Sequence, residues 1–332
     1  MKNSASQTGK EDRHHSLPTP VHIQSPVIVL VGPTAIGKTE LSFAIADQFD
    51  CEIISMDSVQ VYRHLDIGSA KPTPRELKRV SHHLIDIVNP DEQYNAARFV
   101  RDCLQAIEQI CAQGKIPLLT GGTGLYLSSL LNGLFETVHV SDEIKKALKK
   151  DLDKRGLADL YQELQRIDPV TAQRLHPNDQ QRILRGLEIY RATGVPWSTH
   201  LHKQQQQPKP AHFTRLYTIG LECERSLLYE RINQRTEQML AQGLIDEVTG
   251  LRNMGYGPEL SSMQTIGYRH VNQYLDNACD LQTMKHELAR DTRRYAKRQM
   301  TWFKRQANLN WHERNDKNRI INDLKRFLET AG

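Results

Sequence analysis

The octapeptide Gly32-Pro33-Thr34-Ala35-Ile36-Gly37-Lys38-Thr39 fits GxxxxGK[ST], a pattern that predicts a site for a di- or triphosphate. In such a loop the backbone N–H groups turn inward as an anion nest, and the helix that follows adds the positive end of its dipole. Lys38 would supply a point charge and the Thr39 hydroxyl a ligand for a magnesium ion, Mg2+. Asp57 closes the next apolar run and would open into the same crevice, where a carboxylate holds magnesium or takes a proton from an acceptor group. A simpler role, capping the turn that follows it, stays open for the same carboxylate. Arg231 and Arg235 lie four apart, on one face of a predicted helix, and form either a phosphate grip or a surface ion-pair face.

The elements around these residues alternate. VIVLV (27–31) reads as a buried strand and TELSFAIADQF (39–49) as an amphipathic helix. CEIISMD (51–57) is a second strand, LIDIV (84–88) a third short one, and 95–113 a helix. IPLLT (116–120) is another buried strand, running into Gly121-Gly122-Thr123-Gly124 and a helix. This rhythm predicts an α/β fold, a P-loop NTPase-like parallel sheet with ligands at the carboxyl ends of its strands. Residues 141–200 instead read as charged helices without strands, ending in a polar loop, 200–210, whose glutamine run has no chemistry. RLYTIGLE (215–222) then returns to the sheet. The expected division is a disordered extension over 1–24, a core over 25–135 and 212–312, a helical insertion domain over 136–211 and a tail helix over 313–332.

Charge is unevenly spread along the 332 residues: 285–326 holds 13 Lys/Arg against 5 Asp/Glu, in a chain of net charge +5. Such a basic segment suits either a polyanionic partner or a solvated helix face. Within it, Leu288, Tyr295 and Trp302 recur every seven residues beside Ala289, Ala296 and Phe303, and read as core, while Arg290, Arg294, Lys297 and Lys304 line another face. Cys51, Cys103, Cys111, Cys223 and Cys279 form no CxxC pair and read as reduced, mostly buried thiols of a cytoplasmic protein. Residues 1–24 lack an apolar h-region, so no signal peptide is expected, and His14-His15 in this stretch is no metal site. The longest aliphatic run is the strand before the P-loop, too short to span a membrane.

MDSVQVYRHLDIGSAKPT (56–73) resembles the segment after the P-loop in the tRNA dimethylallyltransferase family, also called tRNA isopentenyltransferases. The resemblance continues through HHLIDIVNPDEQYNAARF (82–99), IPLLTGGTGLY (116–126) and HPNDQQRILRGLEIYRATG (176–194). ERINQRTEQMLAQGLIDEV (230–248), TIGYRH (265–270) and TRRYAKRQMTWF (292–303) complete it, in the family's order and of the bacterial type. It implies transfer of a dimethylallyl group from dimethylallyl diphosphate to the exocyclic amine of an adenosine. That adenosine lies 3′ of the anticodon in tRNAs reading codons that begin with U, and the leaving group is pyrophosphate. The partners implied are the tRNA anticodon stem-loop and dimethylallyl diphosphate, with no membrane, and the protein is expected as a monomer.

By the same resemblance Arg235 meets the diphosphate and Thr34 the reacting groups. Asp57, Ser58, Val59 and Gln60, then Gln181, Arg182, Ile183, Leu184 and Arg185, then Thr265, Ile266, Gly267, Tyr268, Arg269 and His270 contact the tRNA. Thr123 is a further contact, and Lys145 stands where relatives have a basic residue. The chemistry suits these residue types. An exocyclic amine is a poor nucleophile, so a carboxylate such as Asp57 to orient it and accept its proton is expected. Departing pyrophosphate gathers negative charge that P-loop amides, Lys38, magnesium and an arginine stabilise. The adenine must be splayed out of its loop to reach the crevice. Arg182 and Arg185, three apart, would sit on one helix face as a phosphate-gripping pair. Two other classes fit the P-loop alone. A small-metabolite kinase would need a further strand ending in Asp, yet 116–120 runs into Gly-Gly-Thr; an RNA-binding regulator would not need Gly37, Lys38, Thr39 and Asp57 intact.

Overall fold

In a computed structural model the described residues are 20–133, 138, 140–206 and 208–330. VIVLV forms β2 (Val27–Val31) after a short β1 (Val21–Ile23), and the P-loop leads from it into α1 (Lys38–Phe49). Next come β3 (Cys51–Met56), α2 (Pro74–Arg79), β4 (His82–His83), α3 (Ala96–Ala112), β5 (Ile116–Gly121) and α4 (Gly124–Asn132). Four helices follow, α5 (Asp142–Ile167), α6 (Pro169–Arg174), α7 (Gln180–Thr193) and α8 (Trp197–Gln205). The chain then returns through β6 (Ala211–Phe213) and β7 (Leu216–Glu222) to α9 (Arg225–Ala241), α10 (Leu244–Asn253), α11 (Tyr268–Leu275) and α12 (Leu281–Phe303). It ends with β8 (Asn310–Glu313) and α13 (Lys317–Glu329).

The main sheet has six strands in the order β4-β3-β5-β2-β7-β8, all parallel. Successive side chains of a strand face opposite sides, and β2 shows both sides filled. Val27, Val29 and Val31 pack with Phe99, Ile107, Leu127 and Phe303 on one face. Ile28 and Leu30 pack with Leu41, Ile45, Ile232, Ile320 and Leu324 on the other. The expected tail helix is therefore part of the core, since α13 contributes Ile320 and Leu324 and β8 lengthens the sheet beside β7. The helices of the expected insertion gather round an apolar cluster of their own, Leu148, Leu160, Leu164, Ala172, Ile183 and Leu187. Its expected first boundary, at 135/136, lies outside the described residues.

Several expectations need correction. LIDIV (84–88) is no strand. Leu84 and Asp86 adopt φ of +62° and +56°, and the strand there is the two-residue β4 just before them. Asp86 leaves the extended path to meet the Lys71 amine at 2.5 Å, a tertiary partner that local alternation does not announce. The polar stretch 200–210 is not all loop, because α8 runs through Gln205 and Gln204 Nε2 donates to Gly133 O at 2.8 Å. Of the extension read as disordered, 1–19 lie outside the described residues, whereas Val21–Ile23 pairs in parallel with Ala211–Phe213 and buries Ile23. All five cysteines are free, but only Cys51 and Cys103 are buried; Cys111, Cys223 and Cys279 are half-buried.

Candidate active site

The P-loop closes at the carboxyl end of β2, between a left-handed Ala35 (φ +64°) and Gly37 (φ +111°), the residue just before α1. Glycine tolerates that conformation without a Cβ penalty, so the chain can turn its amides inward and start the helix at Lys38. The Lys38 amine bends back over the loop and donates to Gly32 O and Pro33 O, both at 2.9 Å. Removal from water pushes its pKa down to about 7, the neighbouring Arg235 charge adds to the fall, and Asp57 opposes it. Ile36 is fully buried under the loop, and Thr39 is exposed at the start of α1.

Asp57 follows β3 directly. Its Oδ1 accepts from Val59 N (2.8 Å) and Gln60 N (3.3 Å), so the capping role is real, and it fixes the carboxylate with Oδ2 as the oxygen available to a ligand. Gln60 is held in turn, accepting from Ser55 Oγ (3.0 Å) and donating to Ala70 O (3.1 Å). From α9, Arg235 donates to Thr34 Oγ1 at 3.3 Å and Arg231 to Ala35 O at 2.8 Å. The two arginines thus grip the P-loop from one helix face.

Two cavities meet at these residues. The larger, about 780 Å³, is lined by Thr34, Ala35, Gly37, Lys38 and Thr39 of the P-loop, by Gln60, by Gly121 and Gly122 at the end of β5, and by Arg231. The smaller, about 320 Å³, is lined by Ser58, Val59, Thr265, Ile266, Gly267, Arg269 and Arg298. Thr34, Asp57, Ser69, Arg235 and Tyr295 line both. A group bound on the P-loop and a group entering beside Thr265 would come together at Asp57.

Some expected site residues lie elsewhere. The side chains of Tyr268 (0% exposed) and His270 (2% exposed) face the interior, where Tyr268 donates to Glu247 Oε1 at 2.7 Å and His270 lies 3.3 Å from Asp291 Oδ2. Ile183 is buried in the core of the insertion, with Leu184 packed against it. Gln181, Arg182 and Arg185 stand on α7 away from both cavities; Arg182 pairs with Asp179 at 2.6 Å and Arg185 with Glu188 at 3.1 Å. Lys145 is exposed on α5, 3.1 Å from Asp142. Thr123 precedes α4, with its amide donating to Met56 O at 3.3 Å.

Sequence reasoning missed other residues. Tyr295, read as core, lines both cavities, and burial together with the Asp57 charge raises its hydroxyl to about 12. Gln299, buried on α12, accepts from Thr34 N and donates to Gly122 O, both at 2.9 Å, and so braces the P-loop against the end of β5. Lys317 reaches the larger cavity from the start of α13. Only the run TRRYAKRQMTWF pointed toward Tyr295 and Gln299, and nothing in the sequence pointed to Lys317.

The donor set also bears on magnesium. Thr39 and Asp57 present oxygen donors to the cavity that the P-loop lines, the type a hard cation takes. Among the described residues no cluster of three His, Cys, Asp or Glu side chains could hold a metal. A magnesium ion here would fill its remaining positions with water and substrate phosphate oxygens, as that ion commonly does.

A P-loop on a doubly covered parallel sheet, opening to a carboxylate shared by two cavities, defines a P-loop-like α/β protein with a candidate active site at the carboxyl ends of its strands. Residues 60–306 match the family model described as IPP transferase. A tRNA dimethylallyltransferase from Desulfotalea psychrophila is 50% identical, over 92% of this chain and 97% of that protein. One from Thermotoga maritima is 45% identical over 86% of this chain and 92% of that protein. The crystal structure of a tRNA isopentenylpyrophosphate transferase from Bacillus halodurans has a TM-score of 0.67 at 37% identity, covering 92% of this chain and 98% of that one. A eukaryotic dimethylallyltransferase described as acting on tRNA has a TM-score of 0.72 at 29% identity, covering 93% and 81%. The chain belongs to the IPP transferase family, that of the tRNA dimethylallyltransferases. The kinase and regulator readings fall away. No helix among the described residues is long and apolar enough to cross a membrane.

Proposed function

We propose that this protein transfers the dimethylallyl group of dimethylallyl diphosphate to the exocyclic amine of the adenosine 3′ of the anticodon, in tRNAs reading codons that begin with U. One observation supports this above the rest: Thr34, Asp57, Arg235 and Tyr295 line both cavities, so a donor and an acceptor can enter from different sides and meet there. The P-loop amides and the Lys38 amine bind the diphosphate, and the Thr34 hydroxyl and Arg235 guanidinium lie beside its bridging oxygen. The adenine, splayed from its loop, enters the smaller cavity with its amine toward Asp57. Asp57 Oδ2 orients that amine and takes its proton as nitrogen bonds to the allylic carbon and the carbon–oxygen bond breaks. The electron pair of that bond leaves with pyrophosphate. Magnesium, held by the Thr39 hydroxyl and phosphate oxygens, would neutralise charge on the leaving group.

The tRNA would lie across α7 and α12, whose exposed Arg182, Arg294 and Lys297 suit a phosphate backbone. We place the protein in the cytoplasm as a monomer; its most exposed large apolar side chains among the described residues, Leu125, Val170, Met254 and Leu281, are scattered rather than grouped in sequence. The test is incubation of the protein with magnesium, dimethylallyl diphosphate and unmodified tRNA, followed by mass analysis of the digested nucleosides. A dimethylallyl adenosine confined to the position after the anticodon is expected. Consumption of ATP with the prenyl donor untouched would overturn the reading.

A further inference from the structure

Two segments that wall the site, the loop 66–70 and the stretch 265–268, arrive from distant parts of the chain, and one carboxylate holds both. Glu247, on α10, accepts from Asp66 N (3.1 Å) and Ile67 N (2.7 Å) at Oε2. Its Oε1 accepts from Gly68 N (3.1 Å) and from the Tyr268 hydroxyl (2.7 Å). Three successive backbone N–H groups converging on one point form a nest of the kind that binds anions, and here a side chain fills it. The close approach depends on Gly68, because a Cβ there would stand 2.5 Å from the Tyr268 ring. Lys71 ties down the far end of the loop through Asp66 at 2.5 Å and Tyr62 O at 2.9 Å.

Glu247 itself lines neither cavity, so it cannot touch a substrate there. Its effect travels along the loop. Ser69 lines both cavities, and the carbonyls of Ser69 and Ala70 accept from Gln60 Nε2 at 3.4 Å and 3.1 Å. Gln60 N is in turn one of the two donors that fix Asp57 Oδ1. On the other side Tyr268 begins α11, directly after Thr265, Ile266 and Gly267 of the smaller cavity.

We propose that Glu247 is a positioning residue: its carboxylate sets the 66–70 loop, and through Gln60 the Asp57 turn, at a fixed distance from the wall that receives the acceptor base. The proposal rests on the prenyl-transfer reading above. It separates two steps of that reaction, since the P-loop that binds the diphosphate lies outside the Glu247 cradle.

The test uses Glu247→Gln, which keeps the size of the side chain but turns an NH2 group toward either the Asp66 and Ile67 amides or the Gly68 amide and the Tyr268 hydroxyl, and Tyr268→Phe, which removes only the fourth donor. Single-turnover transfer by Glu247→Gln should fall about tenfold to a hundredfold, the scale of a misplacement of about 1 Å at a reacting group, with a raised KM for tRNA. Affinity for dimethylallyl diphosphate, read by calorimetry, should stay within about twofold, since the P-loop that binds it is untouched. Hydrogen exchange should quicken in both 60–70 and 265–270. A transfer rate equal to wild type, or faster exchange confined to α10, would overturn the proposal. So would an equal fall in donor and tRNA affinity, the sign of a merely structural role. Should Glu247→Gln not fold, Tyr268→Phe must show a smaller fall in rate with the same pattern of exchange, and wild-type behaviour there contradicts the proposal. Wild-type protein that transfers no dimethylallyl group would refute the reading of function, and the exchange data would still decide the role of Glu247.

Discussion

The Lys38 amine is where local chemistry makes its sharpest demand. Desolvation, with help from Arg235, lowers its pKa from 10.5 to about 7 in the donor-free protein, and a bound diphosphate favours the protonated form. Donor binding above pH 7 must therefore take up a proton. Affinity should weaken as pH rises from 7 to 9, by up to roughly tenfold per unit, because each unit of pKa shift equals a factor of ten. Calorimetry at pH 8 in two buffers of different ionisation enthalpy should find close to one proton taken up, and none in Lys38→Met; pH-independent affinity would contradict this. The same shift acts on stability with the opposite slope. Between about pH 7 and 10.5 the unfolded chain binds the proton that the folded chain lacks, so stability rises with pH across that window. Lys38, Thr34 and Asp57 were legible in the sequence because a P-loop and a strand end are local patterns. Gln299 and Glu247 were not, since the hydrogen bonds of Gln299 and the three backbone donors of Glu247 come from more than 170 residues away.

Among the elements, the Gly121-Gly122-Thr123-Gly124 turn was legible as a strand-to-helix junction, but its purpose was hidden. It is built for close packing. A Cβ at Gly122 would strike the Gln299 amide, and one at Gly124 the Trp302 ring, so α12 lies directly on the turn. Gly124→Ala should lower stability by about 1–3 kcal/mol, the usual cost of overpacking, even though alanine is the better helix former. Gly124→Ala combined with Trp302→Leu should recover part of that stability. Thermal melts of the single and double variants check this, and an unchanged melting point for Gly124→Ala would show that the ring yields freely. Reading the seven-residue repeat of α12 as core was right for Leu288, Ala296 and Phe303, all buried, and missed Tyr295. Periodicity reports which face is apolar; it does not report that a cavity runs along that face.

For the whole molecule, alternation of strands and helices made the parallel sheet legible, and α13 was expected as a tail helix; β8 escaped because the four residues NWHE carry too little pattern, and with it the place of α13 in the core. The proposed RNA surface rests on charge. Arg182 and Arg185 now pair with Asp179 and Glu188, ion pairs at a partly exposed surface that contribute under about 1 kcal/mol and yield readily to a phosphate. Replacing both with alanine should flatten the log–log salt slope of tRNA binding by about one to two units, one for each phosphate that is no longer neutralised. An unaltered slope with a lowered melting point would mean that they serve only the insertion. The central claim is that Asp57 joins donor and acceptor, and Asp57→Asn tests it most directly. Asparagine keeps the oxygen that Val59 N and Gln60 N require, so the turn survives, and only the second oxygen loses its capacity as a base. Single-turnover transfer of the dimethylallyl group to tRNA should fall by about two to four orders of magnitude, the usual worth of a general base, with donor and tRNA still bound. A rate equal to that of the wild type would contradict the account.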